Sequence, residues 1–224
     1  MAYANYIVLV LYAGALIMSI VLHEIAHGWV ARRCGDPTAE AAGRLSLNPI
    51  RHVDPFMTII LPILVLFSSG GRMIFGGAKP VPVNPYNFRN LEIDDLKVSV
   101  AGVITNMAIA LICGFALHLW QPGTVGFTLF TMITVANLGL AFFNLIPIPP
   151  LDGSHVARFF LAKVSPPLAD AYQRLGIVGL IFIFLLAGYF FAPIRWAMDF
   201  FWFTVLGHNT VDWARVIYDF WQTF

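Results

Sequence analysis

The chain has 224 residues, of which 59% are hydrophobic and 11% charged, and its mean hydropathy is +0.78. A soluble domain carries about a quarter charged residues, so this composition excludes an ordinary water-covered globule and points to a lipid bilayer as solvent. The net charge is +1, and without a basic run or interleaved basic and aromatic residues nothing supports nucleic-acid binding.

In chain order, residues 4–31 are nearly continuous apolar sequence, longer than the roughly 20 residues that span a bilayer. Their core, 6–22, resembles a signal-peptide core. No basic segment precedes it and no small-residue cleavage site interrupts it before His23-Glu24-Ile25-Ala26-His27, so a retained membrane helix is expected. Residues 56–69 form a shorter apolar stretch containing Pro62. Residues 78–85 contain Pro80, Pro82 and Pro85, which forbid helix and predict either an extended strand or a plain proline-rich loop. Two spans follow, 96–120 and 124–146, divided by the turn Gln121-Pro122-Gly123. Residues 175–192 predict a further span, and 194–206 a fifth or an interfacial helix whose 196–203 stretch reads as an aromatic belt. Cys34 and Cys113 lack a CxxC spacing and read as plain thiols.

This pattern describes an all-α polytopic membrane protein of four to six transmembrane helices, with a short re-entrant or β-strand element between the first and second core spans. Residues 1–160 form its catalytic membrane core and 161–224 its C-terminal membrane helices. Of the 13 Lys and Arg residues, all but Arg195 and Arg215 fall in three loops: after the first helix, before the 96–120 span, and between 146 and 175. The positive-inside rule places these loops in the cytoplasm and the N-terminus outside. Basic loops flank 56–69 on both sides, so that segment is expected to enter and leave on one face, the alternative being a short conventional span.

His23 and His27 are four residues apart, so on a helix both imidazoles project from one face, one turn apart. That spacing lets two neutral imidazoles hold one zinc ion, while Glu24 reaches a water on the metal without ligating it. Ionisable groups this deep in an apolar run are costly without a partner, and a metal removes the cost. Zinc hydrolases use three protein ligands and leave a fourth position for water. The candidate for the third is Asp152, in Asn144-Leu145-Ile146-Pro147-Ile148-Pro149-Pro150-Leu151-Asp152-Gly153. The prolines stop the preceding helix and let an extended stretch aim Asp152 at the metal; otherwise Asp152 simply caps the next helix. Both halves of the site would lie near the cytoplasmic face.

With HExxH in the first span and NxxPxPPLDG after a later one, residues 14 to about 160 resemble the site-2 protease family of intramembrane zinc metalloproteases, in its compact prokaryotic form without a PDZ domain. Gly76-Gly77-Ala78-Lys79-Pro80-Val81-Pro82-Val83-Asn84-Pro85 adds to the likeness. The resemblance implies one zinc ion held by His23, His27 and Asp152, with Glu24 as general base. It implies that Asn106, in Ala101-Gly102-Val103-Ile104-Thr105-Asn106, holds the substrate backbone or the oxyanion. The motif departs at Val103, where members commonly have proline. Asn144 would clamp substrate, and the strand carrying Lys79, Val81 and Val83 would pair with an unwound substrate segment. The implied activity is hydrolysis of peptide bonds within or beside transmembrane segments of other membrane proteins. The location would be a prokaryotic inner membrane, with transmembrane protein substrates, the lipid bilayer and a possible homo-oligomer as partners. The alternative is a non-catalytic membrane zinc carrier or sensor. His52 resembles a family position of unclear role. His155 reads as a donor behind Asp152 or as a helix cap, and His118 and His208 as structural.

Overall fold

The computed structural model describes residues 2–68, 76–176, 178–179, 187–208 and 211–222. Its helices are α1 (Ala2–Cys34), α2 (Thr38–Ala41), α3 (Leu61–Ser68), α4 (Leu91–Ala116), α5 (Val125–Asn144), α6 (Gly153–Val164), α7 (Pro166–Gln173), α8 (Ala187–Phe200) and α9 (Trp213–Trp221). A π-helical turn, Pro55–Ile60, leads into α3, and another, Phe201–Val205, follows α8. No strand occurs among the described residues, and residues 76–84 are extended without a ladder.

Among the described residues, three helical stretches are long and apolar enough to cross a membrane: Asn5–Cys34, Leu91–Leu119 and Val125–Asn144. They match the first apolar run and the two central spans. The span expected over 175–192 lies largely outside the described residues. Large apolar side chains such as Val10 and Ile112, each 71% exposed, stand on the outer faces of these helices. Such surfaces suit lipid, and the chain is an integral membrane protein.

Local chemistry sets the helix starts. The Asn90 side chain accepts from the Ile93 amide (3.1 Å) while Asp94 accepts from the Asn90 amide (2.9 Å), a reciprocal cap for α4. Thr124 caps α5 by accepting from the Phe127 amide (3.2 Å), just after a turn in which Gly123 takes φ +85°.

The chain divides into two compact units, Ile20–Gly102, and Met1–Ser19 with Val103–Phe224. In the larger unit the core is Leu117, Phe127, Leu138, Trp202 and Leu206 with their neighbours, built as α5 packs on α8 and α9. Beyond α5 the chain turns tightly through Pro147–Asp152. Tyr172 donates its hydroxyl to the Pro147 carbonyl (2.6 Å), and any side chain at Gly153 would run into the Leu145 carbonyl.

In the smaller unit, Ala31, Cys34, Phe88 and Val98 form the core. Asp36, fully buried, closes the loop after α1. Its carboxylate accepts the Asn84 amide (2.7 Å), the Asn87 side-chain amide (2.8 Å), the Thr38 amide (3.1 Å) and the Thr38 hydroxyl. Burial pushes this carboxyl up, but those hydrogen bonds outweigh it and hold the group below the usual carboxylate range. A depressed folded-state value stabilises above the unfolded value near 4 and is lost as pH falls through the folded one. Asp36→Ala is expected to lower thermal stability in detergent by roughly 1–3 kcal/mol for each stranded buried donor. In Asp36→Asn, thermal melts taken across acid pH should lose part of the acid-linked drop that the unmodified protein shows.

Candidate metal centre

His23 and His27 stand one turn apart on α1, and both are buried. Their Nε2 atoms converge to 3.1 Å, with ring planes at 80°. The Nδ1 of His27 lies 2.7 Å from the carbonyl of Val98. A carbonyl can only accept, so this nitrogen carries the hydrogen, and in the neutral ring Nε2 then keeps its lone pair. A backbone carbonyl behind a ligating histidine is the arrangement that fixes tautomer and ring orientation in metal sites.

Space for this pair comes from α4. A Cβ on Gly102 would sit 2.5 Å from His23 Cε1 and 2.5 Å from His27 Nε2. Any other residue there would displace the imidazoles. The convergent lone-pair geometry, the carbonyl on Nδ1 and the hollow above Gly102 together fit a zinc ion, which favours imidazole nitrogen and carboxylate oxygen.

Glu24, between the two histidines in sequence, accepts the backbone amide of Val81 at 2.8 Å through Oε2. The extended segment bearing Val81 is anchored along its length. Gly77 gives its amide to Met57 (3.0 Å), and its carbonyl accepts from the Thr58 hydroxyl (2.7 Å). The Lys79 amide donates to the His52 carbonyl (2.8 Å), and the Lys79 carbonyl accepts from Arg44 Nη2 (2.5 Å). Asn84 is tied to Asp36 as described. Gly28 lets this segment approach α1, since a Cβ there would lie 2.9 Å from Val81 Cγ1. Lys79 has both backbone groups engaged, whereas Val83 has no hydrogen-bond partner for its backbone among the described residues.

Asp152 begins α6, but its carboxylate makes no capping hydrogen bond. Asn106, four residues beyond Gly102 on α4, is 1% exposed, and neither atom of its amide finds a hydrogen-bond partner among the described residues. Asn144, at the end of α5, donates back to the Leu140 carbonyl (3.0 Å). His52 is buried, with Nε2 2.9 Å from the Ser46 carbonyl, and its own carbonyl serves Lys79. His155 lies in the first turn of α6, its amide on the Asp152 carbonyl (3.0 Å). His118 and His208 stack 4.5 Å apart, each against a backbone carbonyl. The sequence assigns no part in the site to Asp36 or Arg44, nor a packing role to Gly102 of the Gly102-to-Asn106 motif, nor any role to Asn137, whose amide donates to Ser19 Oγ (3.0 Å) one turn before His23. For Asn137 the available signal was a polar residue inside an otherwise apolar span, whereas Asp36 and Arg44 lie in polar loop sequence that offers none.

The model of peptidase family M50 matches residues 11–126 and 119–187. The chain belongs to peptidase family M50. The sequence is 40% identical over 63% of its length to YwhC of Bacillus subtilis, and 33% identical over 86% to Rip2 of Mycolicibacterium smegmatis, both provisionally named zinc metalloproteases. It is 30% identical over 99% of its length to Rip2 of Mycobacterium tuberculosis. It spans 64%, 74% and 84% of these relatives, in that order. No solved structure matches the chain significantly. As a member of this family the chain is a zinc metalloprotease. Gly102→Ala is expected to reduce bound zinc from about one per chain to well below half with helix content intact. Metal analysis beside circular dichroism checks this.

Proposed function

We propose that the chain is an intramembrane endopeptidase that hydrolyses peptide bonds within or next to transmembrane segments of other membrane proteins. The observation carrying this reading is a histidine pair with convergent Nε2 atoms, beside a hydrogen-bonded Glu24, on a helix apolar enough to cross a bilayer. His23, His27 and Asp152 hold one zinc ion; they supply two imidazoles and a carboxylate, the donor types zinc prefers. The proline-broken turn that delivers Asp152 supports its assignment as third ligand, since three prolines take the backbone out of helical geometry just before it. When bound, zinc supplies Lewis-acid polarisation of the scissile carbonyl and acidifies the attacking water.

Glu24 takes the proton of that water and hands it to the leaving amine nitrogen, so the amine departs neutral. Asn106, buried with an unsatisfied amide, positions the substrate backbone or the oxyanion. Asn144 adds a second clamp. A transmembrane helix must unwind before its carbonyl can be attacked, and the freed backbone groups need partners. The segment carrying Lys79, Val81 and Val83 receives them, with the open backbone groups of Val83 offering the strand contact.

Residues 1–160 carry the chemistry and 161–224 add membrane helices, for four to six spans in all. The helical stretch from Pro55 to Ser68 is 14 residues, roughly 21 Å at helical rise and short of the ~30 Å hydrocarbon core, which supports a re-entrant segment. The distribution of basic residues supports an N-terminus outside a prokaryotic inner membrane and an active site near the cytoplasmic face. Self-association into a homo-oligomer belongs to the same proposal.

Two variants test the reading against a model transmembrane substrate in detergent or liposomes. Glu24→Gln should lose about 10²–10⁴-fold in cleavage rate while keeping its zinc; undiminished cleavage would remove Glu24 from the mechanism. Asp152→Ala should lose zinc, and an unchanged zinc content would place the third ligand elsewhere.

A further inference from the structure

The extended segment 77–84 is held more firmly than a substrate-pairing loop requires, and its best-defined contact is with the protein's own base. Val81 donates its amide to Glu24 Oε2 at 2.8 Å, the hydrogen bond of the Glu24 side chain among the described residues. Val81 is itself 8% exposed and seated against Gly28, one residue past His27. Two residues earlier, the Lys79 carbonyl is taken by Arg44.

Arg44 is the unusual group. It is 7% exposed, no carboxylate pairs with it among the described residues, and its Nε finds no partner there. A guanidinium is costly to bury without an ion pair, and here its contact is a single backbone carbonyl. That carbonyl belongs to the residue whose position fixes where the Val81 amide points. The backbone is already stiff, because Pro82 restricts Val81 to extended conformations while Pro80 fixes its own φ and restricts Lys79. A glutamate has three rotatable side-chain bonds, so a donor on one carboxylate oxygen selects a rotamer and leaves the other oxygen to exchange a proton.

We propose that the Val81 backbone N–H, held in register by Arg44 through the Lys79 carbonyl, is a positioning group for Glu24. Val81 and Arg44 are then positioning residues for the base, while substrate pairing on the same segment falls to Val83. The inference rests on the reading of Glu24 as general base.

The test uses the full zinc-loaded chain with a transmembrane model substrate. Val81→Pro removes the amide hydrogen at a site whose neighbours already impose an extended backbone. It should lower kcat about ten- to hundredfold, the scale of a misplaced catalytic group, with KM within about threefold of the unmodified protein and zinc content unchanged. Substrate affinity measured in a Glu24→Gln background should be the same with and without Val81→Pro. Arg44→Met, which keeps the stem and loses the donors, should show the same fall in kcat, and Arg44→Lys should restore most of it.

A loss that appears in KM and in substrate affinity would mean the Val81 amide serves the substrate instead, and would overturn the proposal. Equal kcat for Arg44→Met, Arg44→Lys and the unmodified chain would also overturn it, including where Val81→Pro does not fold. If Glu24→Gln is inactive while Val81→Pro and Arg44→Met turn over normally, the positioning role fails and the base stands. If Glu24→Gln stays active, the base reading fails first.

Discussion

A carboxylate flanked by two imidazoles on an apolar helix is tolerated only if protein or metal satisfies each of them, because lipid offers nothing. In this chain the partners come from far along the sequence. The Val98 carbonyl holds His27, and the Val81 amide holds Glu24. Each demand is for a backbone group, and a backbone group can be delivered only by fixing the segment that owns it. The polar needs of one turn of α1 thus determine why residues 77–84 must be extended, why α4 must lie close enough for a carbonyl to reach, and why Asp36, Arg44 and His52 are buried where they are.

Two glycines make this delivery possible. At Gly28 the extended segment comes within contact distance of α1, and at Gly102 the imidazoles occupy the volume a side chain would fill. A glycine within a helix costs about 1 kcal/mol relative to alanine. Both positions exchange some helix stability for a close approach that a larger residue would forbid. The unit around the metal pair is therefore built from absences of side chain as much as from ligands.

Much of this was legible beforehand, and the boundary follows physical range. HExxH encodes its own geometry because four residues on a helix fix the relation of the two histidines. The three long helices followed from apolar length alone, and the prolines at 80 and 82 excluded helix by their rings, whereas Pro85 opens a short 3-10 turn, Pro85–Asn87. Asp36, Arg44 and the packing of Gly102 on the imidazoles were not legible, since their contacts join residues tens of positions apart and leave no periodic trace. Arg44 was counted as one more basic residue in a cytoplasmic loop, although its side chain is buried on the Lys79 carbonyl. The extended segment was anticipated as a surface for substrate; its bond to Glu24 was not, because nothing local to Val81 differs from any other valine between prolines. The turn holding Asp152 was foreseen from its prolines, whereas the brace from Tyr172 was not.

Pro80 and Pro82 have one further consequence. In an extended chain, alternate residues point their backbone groups to opposite sides, and here 77, 79 and 81 turn theirs inward to the protein. The opposite side belongs to 78, 80 and 82, and two of those three residues have no N–H to give. That outer border can accept hydrogen bonds but scarcely donate them, so a second copy of the segment cannot zip onto it in a repeating ladder. An exposed, extended stretch in a hydrophobic protein is the usual seed of cross-chain sheet growth. The prolines blunt that seed while leaving intact the inner side, whose groups Met57, Thr58, His52, Arg44 and Glu24 engage, so the segment stays extended without becoming adhesive.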